Sequence, residues 1–419
     1  MNESSDILVF GDAVKSIIQL LRERGEVKNV YYLAPQIVGY RWRLDIKIKT
    51  IYPRVIEFFE ECMNLESVKK CLNLMLERNF PEHLEMTIVD SSGKPVENPD
   101  YKPFLMTEIL GTLVNRYLES YGFDFNEEKF KKLYDEMVKH VYSKGRELVI
   151  VSPLENFELQ GVNEASIGEY KVRELNEWEL KELINYGYPL GWEFRPEFGD
   201  IEIRYCVEIT VNVPKRSLSP PEPYIEDFVT MLRLFKRGSV KHGYILHYPK
   251  IWRTSWGASL GGYIDRFHIF TNYILTEEDI TPLSLFVQQF LKVKNQFPNP
   301  MKFAIRWFNK SYREVEALDK LLDLAIALEV LFGTSDRLDL YVPHFIGSNK
   351  EERERLNKDI RKLREIRGSI VHSGYYKVEQ EFIDKIEDIF RACISKFINL
   401  LPSLTYEKII ENIRISLLE

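Results

Sequence analysis

The sequence predicts an α+β region over residues 1–280 followed by an all-α helical bundle over residues 281–402. Alternating apolar and β-branched residues, which are typical of strands, occur mainly before residue 280. After residue 281, apolar residues recur at three- and four-residue spacing in four segments, which is typical of helices that bury one face. The length of 419 residues also exceeds the usual size of one domain, so more than one domain is expected.

Composition indicates an ordinary globular protein, with 45% hydrophobic and 29% charged residues. The formal net charge of −7 argues against a protein that coats nucleic acid, so any contact with nucleic acid should be local. The four cysteines lack the close spacing of a zinc site, which predicts reduced structural thiols. No secretory signal and no apolar run of roughly 20 residues is present, so we expect a cytoplasmic protein without a membrane partner.

The first third of the chain mixes helices and strands. Amphipathic helices are predicted for DAVKSIIQLLRERG, which ends at Gly25, and for PRVIEFFEECMNLESVKKCLNLMLERNF, with a break near Asn64. A further helix is predicted for FNEEKFKKLYDEMVKHVYSKG, which ends at Gly145. Strands are predicted for YRWRLDIKIKTIY and for the start of LEMTIVDSSGKPVENP, whose second half is rich in turn-forming residues.

The middle third is richer in strands. They are predicted for ELVIVSPLENFEL, GDIEIRYCVEITVNVP, GSVKHGYILHYPKIW and GGYIDRFHIF. Between the first two, LNEWELKELINYG predicts a short helix with Asn176 as its N-cap and Glu179 at the third helical position. The proline-rich residues 217–223 predict a linker or a loop. A division of the α+β region into two subdomains would fall near residue 145 or at residues 217–223.

Four helices are predicted in the last third, in PLSLFVQQFLKV, EVEALDKLLDLAIALEVLFG, KEERERLNKDIRKLREIRGSIVHSG and QEFIDKIEDIFRACISKFINLL. Gly333 and Gly374 fall just past the ends of two of them, where a left-handed residue commonly ends a helix. Residues 403–419 are expected to form a C-terminal tail.

One arginine in the third of these helices projects onto the apolar face. Four residues define that face: Leu356, Ile360, Leu363 and Ile370. A rotation of 100° per residue places Arg367 close to the middle of the face and His372 on roughly the opposite side. A guanidinium on an apolar face needs an acidic partner, a phosphate or a path to water. The residues alone therefore leave two interpretations, a core ion pair with Glu329 or Asp323 and a cationic site for a phosphate.

The stretch ALEVLFG, followed about 35 residues later by LREIRGSIVHSG, resembles the C-terminal domain of HEPN (higher eukaryotes and prokaryotes nucleotide-binding) proteins. The ApeA-like branch, which includes many bacterial and archaeal defence proteins, is the most similar. The HEPN signature is an arginine, four residues and a histidine, and Arg367 and His372 match it. Gly368 departs from the pattern, because a polar residue is usual directly after the arginine.

The resemblance implies a metal-independent ribonuclease without a cofactor, in which Arg367 and His372 are catalytic. Glu329, Asp323 and Ser373 would support them, and Tyr375 and Tyr376 are candidates for stacking on RNA bases. The ribose 2′-hydroxyl would attack the adjacent phosphorus, histidine would move the proton, and arginine would neutralise the phosphoryl charge. Loop anchoring is the alternative role for the two tyrosines.

The resemblance also implies a homodimer through the helical domain. The two motif residues are separated by about 140° around their helix, and a two-fold axis would bring two copies of the motif into one cleft. Two functions follow from these observations. One is a dimeric endoribonuclease, acting as a toxin or an effector of anti-phage defence, whose N-terminal region recognises an unknown trigger. The alternative is a non-catalytic HEPN scaffold that binds RNA, a nucleotide or a protein partner.

Overall fold

The computed structural model describes residues 3–38, 41–86, 88, 94–176, 178–179, 183, 204–214, 222–252, 259–261, 272–373 and 377–417. An N-terminal region of helices and an antiparallel sheet precedes a largely helical C-terminal part. This coarse division was predicted by the sequence and is confirmed.

The N-terminal residues form helices and one hairpin. The helices are α1 Glu3–Arg24, α2 Phe59–Asn64, α3 Glu66–Glu77, α4 Phe80–His83, α5 Lys102–Leu105, α6 Thr112–Tyr121 and α7 Glu127–Tyr142. A π-helical segment, Met106–Gly111, links α5 and α6. The end of α1 before Gly25 and the break after Asn64 confirm two sequence predictions. Strand β2 (Arg41–Ile51) confirms a third, and its antiparallel partner β1 (Lys28–Val38) was not predicted.

A seven-stranded sheet follows these helices. Its described strands are β3 Arg146–Glu155, β5 Ala165–Ile167, β6 Tyr170–Glu174, β7 Tyr205–Val213, β8 Lys241–His242, β9 Ile245–Pro249 and β10 Ser259–Gly261. The order is β10-β9-β3-β7-β6-β5, with β8 also pairing with β3, and the pairs are antiparallel. Strands β4 (Phe157–Gln160) and β11 (Tyr273–Thr276) pair separately and in parallel. Of the strand predicted over residues 261–270 only Gly261 is described, in β10, and residues 199–203 of the strand predicted over residues 199–214 lie outside the described residues.

The predicted capping box is present. The backbone N–H of Glu179 donates to Asn176 Oδ1 at 2.9 Å, and the backbone N–H of Asn176 donates to Glu179 Oε2 at 3.1 Å. The Glu179 side chain is fully buried and also accepts hydrogen bonds from Arg173 and from the hydroxyl of Tyr248. Glu179 therefore completes the helix cap and also connects it to the sheet through Arg173 and Tyr248.

The C-terminal part contains more helices than the four predicted. They are α9 Glu277–Val293, α10 Asn299–Ser311, α11 Ala317–Phe332, α12 Leu338–Ile346, α13 Lys350–Ser373, α14 Gln380–Leu400 and α15 Tyr406–Ser416, and they follow α8 Glu222–Phe235 beside the sheet. Helices α9, α11, α13 and α14 confirm the four predictions. Gly333 ends α11 with φ 65°, as a left-handed C-terminal glycine should. The sequence predicts a tail over residues 403–419, whereas α15 forms there and buries Ile409, Ile410 and Ile413.

Residues 3–142 form a hydrophobic core that is separate from the core of the later residues, except that Trp252 also packs in it. A second core runs without a break from strand β3 to helix α15. It includes Leu148 and Ile150 of β3, whereas the alternate residues Val149 and Val151 face a smaller cluster on the other side of the sheet. The boundary predicted near residue 280 falls inside α9, and this second core lies on both sides of it.

The four cysteines are unpaired and buried, as structural thiols are. Burial raises the pKa of each thiol, that of Cys62 to about 12. Within the ranges given above, no helix combines the length and the apolar character that a bilayer crossing requires.

Candidate functional site

Helix α13 positions the sequence-predicted site. Its buried face consists of Leu356, Ile360, Leu363 and Ile366. The predicted face includes Ile370, which is partly buried against the same core, and it omits Ile366, which is 1% exposed. Arg367 projects between Leu356 and Ile360 on this helix, and 38% of its side chain is exposed.

Arg367 is held by a carboxylate from the preceding long helix. Its Nε lies 3.0 Å from Oε1 of Glu329 on α11, and only 15% of the Glu329 side chain is exposed. This contact confirms the predicted ion pair. An arginine bound through Nε can still present its Nη fork to the two oxygens of a phosphate. The ion pair is therefore present, and it leaves part of the guanidinium exposed to solvent.

Asp323 does not share this role. Its carboxylate accepts hydrogen bonds from Lys310 at 2.9 and 3.0 Å, and its side chain is only 4% exposed. Of the two acids that the sequence offers, Glu329 is therefore the partner of Arg367, and Asp323 ties α11 to α10.

Burial raises the pKa of Glu329 above its ordinary value, although Arg367 and Arg364 act in the opposite direction. The folded protein therefore favours the protonated form of this carboxyl more than the unfolded chain does. Because a raised carboxyl pKa stabilises the fold most at low pH, the contribution of Glu329 decreases as the pH rises through that pKa.

Two further arginines extend the site along α13. Arg364 Nη1 and Arg361 Nε each lie 3.2 Å from a carboxylate oxygen of Asp339, which is on α12 and only 9% exposed. Together with Arg367 they form a row at three-residue spacing, which we call the arginine row. The spacing is visible in the sequence and could have identified these residues, but the acids that face them come from other helices.

Four further candidates cannot be placed in full. His372 and Ser373 lie in the last turn of α13, but their side chains, like Tyr375 and Tyr376, fall outside the described part of the structure. Arg367 and His372 are five residues apart on one helix, which corresponds to a rise of about 7.5 Å and a rotation of about 140°.

Gly368 has open space around it. Among the residues that the structure describes, a Cβ built at this position meets no atom within 4 Å apart from its chain neighbours and the nearby helical backbone, so a side chain would fit there. A lack of space in the described surroundings therefore does not explain why position 368, which departs from the HEPN pattern, is a glycine.

No group of three or more His, Cys, Asp or Glu side chains suited to hold a metal ion occurs among the residues with described positions. Comparison of the chain with protein-family models, with curated proteins and with solved structures gave no significant match. The site is therefore interpreted from its residues and their geometry.

Proposed function

We propose that the chain is a metal-independent endoribonuclease of HEPN type in which Arg367 and His372 carry the chemistry. The observation that supports this most is the setting of Arg367. Its guanidinium is fixed by Glu329, is partly open to solvent and lies five residues before a histidine on the same helix. The arginine row adds two further cations beside it, which would attract an RNA phosphate to this edge of an acidic protein.

The proposed reaction needs no external nucleophile. The ribose 2′-hydroxyl attacks the adjacent phosphorus, the bond from phosphorus to the 5′-oxygen breaks, and a 2′,3′-cyclic phosphate and a 5′-hydroxyl result. One histidine accepts the proton of the 2′-hydroxyl, and a second, protonated histidine gives a proton to the leaving 5′-oxygen. Arg367 neutralises the charge that develops on the phosphoryl oxygens.

We expect the protein to be a homodimer through its helical part. One helix cannot direct Arg367 and His372 at one phosphate when they are separated by about 140° of rotation. A two-fold axis would supply the second copy of each residue. Light scattering at micromolar concentration should give twice the 49.6 kDa mass of the chain. A monomer that cleaves RNA would contradict this expectation.

The decisive experiment is cleavage of mixed RNAs by purified protein in the presence of a metal chelator. We expect cleavage to continue, with 2′,3′-cyclic phosphate at the new 3′ ends. Products with a 3′-hydroxyl, or loss of activity on chelation, would contradict the proposed chemistry. The resemblance to ApeA-like proteins supports a cytoplasmic role as a toxin or anti-phage effector, with the N-terminal region recognising the trigger.

The second candidate is a non-catalytic HEPN scaffold that binds RNA, a nucleotide or a protein partner. Two observations favour it. Each arginine of the row already faces a carboxylate, which competes with a phosphate, and Gly368 lacks the usual polar side chain. RNA binding without cleavage in the same assay would identify this alternative.

Gly368→Asn is expected to increase RNA cleavage by about tenfold. The amide adds a hydrogen-bond donor next to Arg367, and one bond to a charged phosphate is worth about 1.5–3 kcal/mol. Gly368→Ala is the matched control. It should raise the free energy of unfolding by about 0.5–1 kcal/mol, because glycine is unfavourable inside a helix, and should leave the cleavage rate unchanged. Equal rates for the two variants would show that position 368 has no part in cleavage.

A further inference from the structure

A second cationic region lies far along the chain from α13, where the N-terminal helices meet the sheet. A cavity of about 650 Å³ opens between the last turn of α7, the start of β3 and the end of β7. Helix α7 belongs to the core of residues 3–142, whereas β3 and β7 belong to the sheet. A molecule in this cavity would therefore contact both parts of the N-terminal region.

Cations dominate the charged groups that line this cavity. Lys139, Lys144 and Arg146 contribute positive charge, and His140 adds an imidazole. Among the lining residues that the structure describes, Glu147 is the one acid, and its carboxylate lies 3.3 Å from Lys250 Nζ. Within the described chain, neither Lys139 nor Lys144 forms a salt bridge, and both are exposed. An acidic protein thus presents a locally positive cavity.

The helix dipole at the end of α7 explains only part of the positive charge of the cavity. Basic residues in the last turn of α7 interact favourably with the helix dipole, which accounts for Lys139 and His140. Lys144 and Arg146 lie beyond the helix, on the turn into β3 and on its first residue. The helix dipole therefore does not account for these two residues, whose positive charges line the same cavity.

The rest of the cavity lining suits a flat, apolar part of a ligand. Val213, Pro214 and Ile251 line the cavity beside the cations. The ring of His140 is backed by the buried ring of Trp252, with centroids 6.2 Å apart and planes inclined by 24°. A volume of about 650 Å³ falls within the range of roughly 300–1,000 Å³ that is usual for small-molecule sites.

The segment that carries Trp252 is strained. Trp252 has φ 60°, a left-handed conformation that bulky residues rarely adopt. Such strain costs about 1–3 kcal/mol and persists where the surrounding structure fixes it, often beside a ligand. Here the guanidinium of Arg116 lies 5.1 Å from the centre of the Trp252 ring, on the N-terminal side of the junction. The wall behind His140 is thus held firmly in place.

The geometry points to a binding site for a nucleoside phosphate in this cavity. Lys139, Lys144 and Arg146 would bind the phosphate, because three cations match the double charge of a phosphate better than they match the single charge of a carboxylate. The base or ribose would lie against Val213, Pro214 and Ile251. The inference goes beyond the proposed nuclease and does not depend on it, since the cavity and the arginine row share no residue.

Isothermal titration of the full-length protein with AMP, ATP, ribose 5-phosphate and inorganic phosphate tests this inference. We expect AMP or ATP to bind more tightly than the two probes that lack a base. The double variant K139E/K144E should weaken nucleotide binding by about tenfold or more. Both side chains are exposed, so the variant should fold, and circular dichroism verifies that it does.

The double variant K131E/K132E is the matched control. It makes the same change in net charge at two exposed positions of α7 that do not line the cavity, and it should bind as the unchanged protein does. Equal losses in both variants would overturn the inference, because the affinity would then reflect overall charge. Equal affinity for inorganic phosphate and AMP, or no binding of any probe, would overturn it as well.

Discussion

His372→Ala is expected to slow RNA cleavage by about 100- to 10,000-fold while leaving the chain folded, because a positioned general acid or base contributes a factor of that size. Position 372 is in the last turn of α13, where the helix dipole favours a protonated imidazole by about 0.3–1 kcal/mol when it is exposed. In the proposed mechanism, that bias would help His372 hold a proton for the leaving oxygen. Rates are measured on a single RNA with chelator present, and folding by thermal unfolding.

Two matched variants separate catalysis from folding. His344→Ala removes a histidine from α12 whose Nδ1 lies 3.0 Å from the carbonyl of Leu340, and it should leave the cleavage rate unchanged. Arg367→Ala should slow cleavage and also lower the unfolding midpoint, because it removes the partner of the largely buried Glu329. Cleavage by His372→Ala at the unchanged rate would refute the nuclease proposal and leave the scaffold standing.

The largest loss of stability is expected from Arg391→Met, which should lower the free energy of unfolding by about 3–5 kcal/mol, since it removes one partner of a buried ionic network. The side chain of Arg391 on α14 is only 8% exposed. It donates to Glu387 at 2.6 Å, to the Tyr312 hydroxyl at 2.6 Å and to the carbonyl of Arg233 at 2.7 Å. Glu387 is also held by Lys320 at 2.6 Å.

The effect should depend on pH. Burial acts to raise the pKa of Glu387, but Lys320 and Arg391 outweigh it and hold that pKa below its ordinary value. Its stabilising contribution is therefore present above about pH 4.3, the ordinary value for a glutamate, and is lost as the pH falls through the lowered pKa. Urea unfolding should show a smaller acid-induced loss in Arg391→Met than in the unchanged protein.

Lys385→Ala on the same helix is the control for the urea experiment. Lys385 is half exposed and pairs with Glu381 one turn away, so its loss should change the unfolding free energy by no more than about 0.5 kcal/mol. If Arg391→Met were as stable as Lys385→Ala, the buried network would have no net role in stability.

The sequence identified the six longest described helices, α1, α7, α9, α11, α13 and α14, because each carries several turns of regular apolar spacing, but it did not predict α10. It missed β5 and β6, which have three and five residues and are too short to show a period. It also missed α8, since residues 217–223 indicate a linker, whereas Pro223 lies in the first turn of a helix that starts at Glu222. Proline is well tolerated there because the first N–H groups of a helix have no internal partner.

The candidate site was predictable where it depends on one helix or on an obvious charge partner. The pairing of Arg367 with Glu329 followed from the need to compensate a guanidinium near an apolar face. The pairing of Arg361 and Arg364 with Asp339 depends on how α12 crosses α13, which no local pattern encodes. The cavity at the junction likewise combines residues that are more than 100 positions apart, from Lys139 to Ile251.

The unbroken core between the sheet and the helices determines how this protein can be dissected. A fragment that begins at residue 281 would lack Phe228, Leu232 and Tyr273, all fully buried in that core, and would expose the helical surface they cover. Such a fragment would be prone to aggregation, because a large apolar face would meet water. A cut near residue 145 passes between two cores instead, and Trp252 is the main apolar side chain that it would uncover. Expression of a shorter C-terminal part should therefore begin at the first strand of the sheet, not at the first helix of the bundle.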